Sequence, residues 1–183
     1  MSTLPDAYYI EKIQAGETEY FAVLLDRYSN SVFALIIKIV NSREEAEELT
    51  QDVFLKVFSS LSSFQGNSLF STWLYRIACN IAISFTRKKT YNWLAINEST
   101  IENIPEDELS NEVEQIEKEE QLVRLEKALE QLLPDERALV SLYYMQEKQI
   151  DEIASITGLS ISNVKTKLHR CRKKILLLIQ TML

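Results

Sequence analysis

Residues 149–164 read Gln149-Ile-Asp-Glu-Ile-Ala-Ser-Ile-Thr-Gly-Leu-Ser-Ile-Ser-Asn-Val164, and they determine the architecture of the C-terminal part of the chain. Gly158 stands between two apolar-periodic segments, where the turn needs a left-handed backbone that glycine adopts without a Cβ clash. Ser160 can cap the helix that follows, and Ala154 is small where two helices must cross closely. Two helices joined by a short turn with glycine are typical of a DNA-reading helix-turn-helix unit.

The helix after this turn has two different faces. One face is apolar at steps of three and four residues, through Val164, Leu168, Cys171, Ile175, Leu178 and Met182. The other face carries Lys165, Thr166, Lys167, His169, Arg170, Arg172, Lys173 and Lys174. Solvated faces tend to mix charge signs, whereas this face is uniformly basic, which favours DNA contact over a merely solvated surface.

The net charge of the whole chain does not reveal this basic segment. Net charge is −7, which taken alone counts against nucleic-acid binding. From Glu98 to Glu120, ten acids and one base give −9, so the rest of the chain sums to +2. We interpret the acidic stretch as a solvated linker; shielding of a basic surface by DNA mimicry is the alternative.

The N-terminal half reads as a run of amphipathic helices. Ser42 and Glu45 form a capping-box pattern, and the apolar residues after it mark one buried face: Ala46, Leu49, Val53, Val57 and Leu61. With only three glycines and three prolines, the sequence predicts an all-α fold of two small helical domains, at residues 1–91 and 112–183, joined by an acidic flexible linker at 92–111.

Other function classes find little support in the composition. Cys79 and Cys171 are isolated, and His169 is the single histidine, so no nucleophile–base pair or metal-ligand spacing stands out. We expect no enzyme activity, no catalytic residue, no metal or other cofactor, and no small-molecule substrate. The N-terminus lacks a signal-peptide pattern, and no apolar run is long enough for a bilayer, so we expect a cytoplasmic, soluble protein.

Two blocks of this sequence resemble the extracytoplasmic-function (ECF) sigma factors of the sigma-70 family. Residues 45–58, then Phe64 and residues 70–80, resemble region 2 of that family, which implies that residues 1–91 dock on core polymerase and melt the −10-type element. Residues 132–140 and 163–174 resemble region 4, which implies that residues 112–183 read the −35-type element. The family usually has glycine and threonine where this chain has Ser162-Asn163, so the base preference is not carried over.

The resemblance implies a function and a set of contacts. The function is that of an alternative sigma factor, which binds core RNA polymerase and directs promoter-specific initiation by reading both elements and opening the duplex. The implied partners are the β′ coiled coil and the β flap of the polymerase, promoter DNA and an anti-sigma factor. Docking on the β′ coiled coil is assigned to residues that share a helix face opposite the core: Glu47, Glu48, Gln51, Asp52 and Leu55.

The implied DNA contacts fall in two groups. Contacts with the melted −10-type element are assigned to Phe64, Asn67, Ser68, Thr72, Tyr75, Arg76, Asn80, Arg87, Lys88 and Lys89. In the −35-type contact, base edges are assigned to Ser162, Asn163, Lys165 and Thr166, and phosphates to Lys167, Arg170, Arg172 and Lys173.

Three other hypotheses remain open at this point. A conventional helix-turn-helix regulator explains Ile150 to Leu178 but leaves residues 44–89 without a task. An enzyme is not supported, because no nucleophile–base pair or metal-ligand spacing stands out in the sequence. A pure interaction protein, such as an antagonist of a sigma factor, has only the acidic stretch in its favour.

Overall fold

The computed structural model describes residues 4–89 and 118–182, and every regular element within these ranges is helical. The chain divides into two compact units, and the first division falls between Thr86 and Arg87. The predicted all-α fold with two helical domains is confirmed. The boundaries at 1–91, 92–111 and 112–183 stay predictions, and the predicted linker at 92–111 lies outside the described residues.

The N-terminal unit is a small helical bundle. It contains α1 (Asp6–Gln14), α2 (Phe21–Val40), α3 (Arg43–Ser60) and α4 (Phe70–Lys89), with short 3₁₀ helices at Thr18–Tyr20 and Leu61–Ser63. Helix α2 packs along α3, and α1 packs against α2. The core consists of fully buried aliphatic side chains at helical spacing, including Val32, Leu35, Ile36, Ile39, Ala46, Val53, Val57, Leu74, Ala78 and Ala82.

Helices α2 and α3 are joined by a tight connection of two residues. Asn41 adopts the left-handed conformation at φ 58° and donates its backbone N–H to Ile37 O at 2.9 Å, which ends α2. The Ser42 hydroxyl oxygen accepts from the backbone N–H of Glu45 at 3.4 Å and begins α3. The cap predicted at Ser42 is confirmed.

The C-terminal part of the chain contains the helix-turn-helix. Its helices are α5 (Lys118–Glu130), α6 (Pro134–Val140), which continues into a π-helical turn at Ser141–Met145, α7 (Ile150–Thr157) and α8 (Ile161–Thr181). Helix α8 packs against α5 and α6. The core cluster joins these three helices through Ala128, Leu132, Val140, Cys171, Ile175, Leu178 and Ile179.

The turn between α7 and α8 has the chemistry that the sequence predicts. Gly158 has φ +73°, in the left-handed region. The Ser160 hydroxyl oxygen accepts from the backbone N–H of Asn163 at 3.2 Å, so Ser160 caps α8. Ile153 and Val164, one in each helix, are fully buried. The predicted cap and turn are confirmed.

Among the described residues, no helix combines the length and the hydropathy that crossing a bilayer requires. Both cysteines are buried as free thiols. Burial raises the pKa of the Cys79 thiol from an ordinary value of 9.0 to about 12. Burial is also the largest of the causes that raise the pKa of the Cys171 thiol to about 12. Because the folded chain keeps both thiols neutral, their contribution to stability is complete below pH 9 and is lost as pH rises toward 12.

These thiols should resist alkylation in the native state. We expect iodoacetamide at about pH 8 to label the folded chain at no more than about a tenth of the rate seen in denaturant, because the thiolate is the reactive species and both thiols are buried. Mass spectrometry of timed aliquots gives the rate for each cysteine. Native labelling of Cys79 or Cys171 as fast as in the unfolded chain would contradict the burial.

Candidate nucleic-acid and protein interfaces

The outward face of α8 begins at the capped end of the helix. Ser162, Asn163, Lys165 and Thr166, the four residues predicted to face bases, are all exposed. They lie in the first turns of α8, the part of a recognition helix that contacts base edges in helix-turn-helix proteins. The capped turn fixes the direction in which this end of the helix points, because Ser160 satisfies a first-turn amide.

The cations predicted to hold phosphates differ in exposure. Arg172 is exposed, while Lys167, Arg170 and Lys173 are half-buried. The Lys167 ammonium lies 3.6 Å from Asp135 Oδ2 at the start of α6, and both side chains are 42% exposed. A pair this open to solvent contributes little stability, so the lysine keeps its capacity to contact a phosphate.

The expectation that Lys174 lies on the basic outer face is wrong. Lys174 is 6% exposed, and its ammonium donates to Glu136 Oε2 at 2.8 Å. The same carboxylate oxygen accepts from the backbone N–H of Leu133 at 2.8 Å, at the start of α6. Lys174 therefore ties α8 to the beginning of α6, because its position falls at the border between the apolar stripe and the basic face.

The outer face of α3 brings together the residues predicted to dock on polymerase. Glu47, Glu48, Gln51, Asp52 and Leu55 are all exposed, and Leu55 is 69% exposed. The Arg43 guanidinium lies 2.9 Å from Glu47 across one helical turn, in a surface pair.

A groove of about 360 Å³ borders this face between α2 and α3. Gln51 and Phe54 line it from α3, and Leu25, Asp26 and Ser29 line it from α2. The surface is thus an acidic face with the exposed side chain of Leu55 at one end and a groove at its side.

The residues predicted for the −10-type contact divide by exposure. In the segment that precedes α4, Asn67 and Ser68 are exposed and Phe64 is half-buried. Four residues of α4 are exposed, namely Arg76, Asn80, Arg87 and Lys88, and the side chain of Lys89 lies outside the described residues.

Thr72 and Tyr75 are placed differently from the rest of this group. They are 6% and 4% exposed, so in this structure their side chains belong to the core of the first unit. Phe64 packs its ring against Trp73 at 5.0 Å and against Phe70 at 6.0 Å between ring centroids. These aromatic contacts anchor the segment Phe64–Leu69 to the start of α4.

Comparison with known proteins identifies the family of this chain. The family model for Sigma-70 region 2 matches residues 24–91, and the model for Sigma-70, region 4 matches residues 122–175. The ECF RNA polymerase sigma factor SigW of Bacillus subtilis (strain 168) is 31% identical over 183 aligned residues, which cover 90% of this chain and 91% of the relative. The chain belongs to the ECF group of the sigma-70 family. It is an alternative sigma factor that directs transcription initiation by RNA polymerase.

A second relative agrees with this membership, and two solved structures share the fold. The ECF RNA polymerase sigma-E factor of Escherichia coli (strain K12) is 30% identical over 178 residues, covering 94% of this sigma factor and 93% of the relative. CnrH, solved in complex with the cytosolic domain of CnrY, has a TM-score of 0.67 at 19% identity and covers 95% of this chain and 96% of its own. RpoE of Bartonella quintana, solved with the anti-sigma factor NepR, has a TM-score of 0.63 at 22% identity and covers 87% and 96%. These two likenesses concern the fold.

Three apolar residues beside the predicted contacts of this sigma factor are exposed, although none of them is among the predicted site residues. Phe58, one turn after Leu55, is 43% exposed, Leu69 is 66% exposed, and Ile161 at the start of α8 is 51% exposed. Phe58 falls out of phase with the buried stripe of α3, which is the signal that could have revealed it. Ile161 lies three residues before Val164, in phase with the stripe of α8, so periodicity does not reveal its exposure.

The buried ion pair predicts unequal effects of removing its two partners. Glu136→Ala should lower the free energy of unfolding by about 3 kcal/mol, because it leaves the Lys174 ammonium buried without its anion. Lys174→Met should lower it by less than about 1 kcal/mol, because a linear apolar side chain replaces the pair partner and leaves a more exposed carboxylate. Denaturant unfolding of both variants measures the difference. Equal small losses would show that the pair does not hold α8 to α6.

Proposed function

We propose that this sigma factor uses three separate surfaces to direct initiation. The outer face of α3 docks on the β′ coiled coil of core polymerase, the segment Phe64–Leu69 together with α4 captures the melted −10-type element, and α8 lies in the major groove of the −35-type element. It acts as a subunit without an enzymatic site of its own. The observation that carries the proposal is the outer face of α3, which a DNA-binding regulator would not need.

The α3 surface suits a basic partner. Its acids are exposed while the opposite side of the helix is fully buried at Ala46, Val53 and Val57. Acidic charge steers the encounter with a positive surface and fixes register more than it adds affinity. Leu55 supplies the apolar contact. Burying a leucine side chain is worth roughly 1.5–3 kcal/mol.

The segment before α4 and the exposed face of α4 suit single-stranded DNA. Asn67 and Ser68 offer exposed hydrogen-bonding groups, and Arg76, Asn80 and Arg87 follow at four and seven residues along one side of α4. A captured base gains about 1–3 kcal/mol by stacking, comparable with the few kcal/mol that its extrusion costs. Thr72 and Tyr75 act in this proposal by supporting the surface from inside.

The start of α8 suits duplex DNA. Ser162, Asn163 and Thr166 present short polar side chains next to the helix cap, the size and chemistry that read base edges in the major groove. The cations further along the helix follow the phosphate backbone and set the orientation of the helix.

Two further contacts belong to the same proposal. The exposed side chains of Tyr143, Tyr144 and Met145, at 39%, 50% and 51%, form an apolar patch on the C-terminal unit that suits docking on the β flap. We also propose an anti-sigma factor as regulator, since the similar RpoE structure was solved with one.

Removal of two α3 side chains should weaken docking on polymerase. Gln51→Ala combined with Asp52→Ala should raise the dissociation constant for core polymerase by about tenfold, equal to about 1.4 kcal/mol. Binding to labelled core polymerase measures it, and run-off transcription on a genomic promoter pool should fall in parallel. The matched control is Gln131→Ala with Glu126→Ala, an exposed glutamine and acid in the C-terminal unit. Unchanged core binding would refute the α3 assignment, and wild-type protein that starts no transcript would refute the function.

Loss of a phosphate contact should appear in the salt dependence of promoter binding. Lys165→Ala or Arg172→Ala should weaken binding of the holoenzyme to duplex promoter DNA, and the slope of log K against log salt should become shallower by about 1 if the side chain contacts phosphate. Titrations at several salt concentrations give affinity and slope. Lys127→Ala, at an exposed lysine of α5, should leave both values near those of the wild type. If the α8 variants match this control, α8 is not the DNA-binding helix.

A further inference from the structure

We infer that helix α1 positions the −10-reading loop Phe64–Leu69, through Gln14 at the start of the loop and through Asp6 and Tyr28 at its end. This inference rests on the proposed function of the loop. Helix α1 ends at Gln14, whereas the match to Sigma-70 region 2 begins at residue 24. The inferred role therefore belongs to a helix outside the matched segment.

Gln14 holds the chain just after the end of α3, where the loop begins. Its side-chain amide nitrogen donates to Leu61 O at 2.9 Å and to Phe64 O at 3.0 Å. One amide nitrogen carries two N–H donors, so both are used on backbone carbonyls that lie 47 and 50 residues away in sequence. The backbone N–H of Phe64 also donates to Leu61 O at 3.1 Å, which closes the 3₁₀ turn.

The other end of the loop is reached through α2. Asp6, in the first turn of α1, forms an ion pair with Arg27 and accepts a hydrogen bond from the Tyr28 hydroxyl. The Tyr28 ring packs edge-on against Phe70 at 5.5 Å between centroids. Phe70 is 4% exposed and begins α4 where the loop ends.

The Tyr28 hydroxyl is a hydrogen-bond donor to Asp6. Burial and the hydrogen bond to the Asp6 carboxylate raise the pKa of its hydroxyl well above the usual range. The Tyr28 hydroxyl therefore stays protonated near neutral pH.

The tip of the loop has no comparable anchor among the contacts described for it. Gln65, Gly66, Asn67, Ser68 and Leu69 are exposed, and the Asn67 amide donates locally to Gln65 at 3.2 Å. Gly66 adopts φ +72° with open space around it. The direction of such a tip is set by its two fixed ends. Because the ends are fixed before DNA binds, less conformational entropy is lost when a base is captured.

The test replaces the Gln14 amide with a carboxylate of the same shape. Gln14→Glu removes both donors and points an acceptor at two carbonyl oxygens. The readout is the ratio of holoenzyme affinities for two single strands: the non-template −10 segment of a promoter that the wild type transcribes, and a scrambled strand. We expect this ratio to fall by about tenfold, the order given by loss of two neutral hydrogen bonds. Affinity for core polymerase should stay within about twofold, because the α3 face is untouched.

Controls separate this inference from the proposed function. Gln131→Glu, the same substitution at an exposed site of the C-terminal unit, should leave the ratio unchanged. Asn67→Ala tests the loop itself: if it leaves the ratio unchanged, the loop does not read DNA and the proposed function fails there. If Asn67→Ala lowers the ratio and Gln14→Glu behaves like Gln131→Glu, the positioning role alone is overturned.

A second variant covers the case in which Gln14→Glu does not fold. Tyr28→Phe removes the hydrogen bond to Asp6 and keeps the ring against Phe70. It should lower the same ratio by a few-fold, with faster hydrogen exchange of the amides of residues 65–69 and unchanged exchange in α8. Wild-type values for both the ratio and the exchange would overturn the role of α1.

Discussion

Burial of a single apolar stripe on each long helix is the constraint on which the exposed surfaces of this sigma factor depend. In α8 the stripe from Val164 to Leu178 enters the core of the C-terminal unit, so Lys165 and Arg172 face solvent while the cations at its borders are partly or fully buried. In α3 the buried side at Ala46, Val53 and Val57 turns the acids and Leu55 toward solvent. One physical rule, the removal of apolar area from water, thereby decides which charged side chains each helix presents.

The buried ion pair between Glu136 and Lys174 is an exception to that rule, because it removes charged groups from water. It also takes Lys174 away from the outward face of α8. A buried pair adds little net stability, because desolvation of both charges offsets their attraction. Its carboxylate also accepts from the Leu133 amide, so the anion that the buried Lys174 requires is held at the start of α6. Such a requirement selects one rotation of α8 relative to α6. The face that α8 presents is therefore fixed by a polar contact as well as by its apolar stripe.

Local patterns in the sequence predicted much of this structure. The caps at Ser42 and Ser160 and the left-handed Gly158 follow from rules that involve a few neighbouring residues, and the structure has all three. The assignment of Lys174 to the basic face was wrong because its partner lies 38 residues away. Periodicity places a residue on a helix face but does not report a polar partner from another element. Thr72 and Tyr75 illustrate the same limit, since their burial depends on how α4 packs within its unit.

The energy balance of promoter opening explains why distant contacts on a short loop matter. Extruding a base costs a few kcal/mol, and stacking it on an aromatic or cationic surface returns about 1–3 kcal/mol. The two quantities nearly cancel, so the outcome depends on smaller terms. Ordering a flexible residue costs about 1–2 kcal/mol, which is comparable with the stacking gain from one base. A loop whose ends are already held by Gln14 and Phe70 avoids part of that penalty before DNA arrives. In this proposal the bundle behind the loop contributes to opening without touching the bases, by keeping the capturing surface in place.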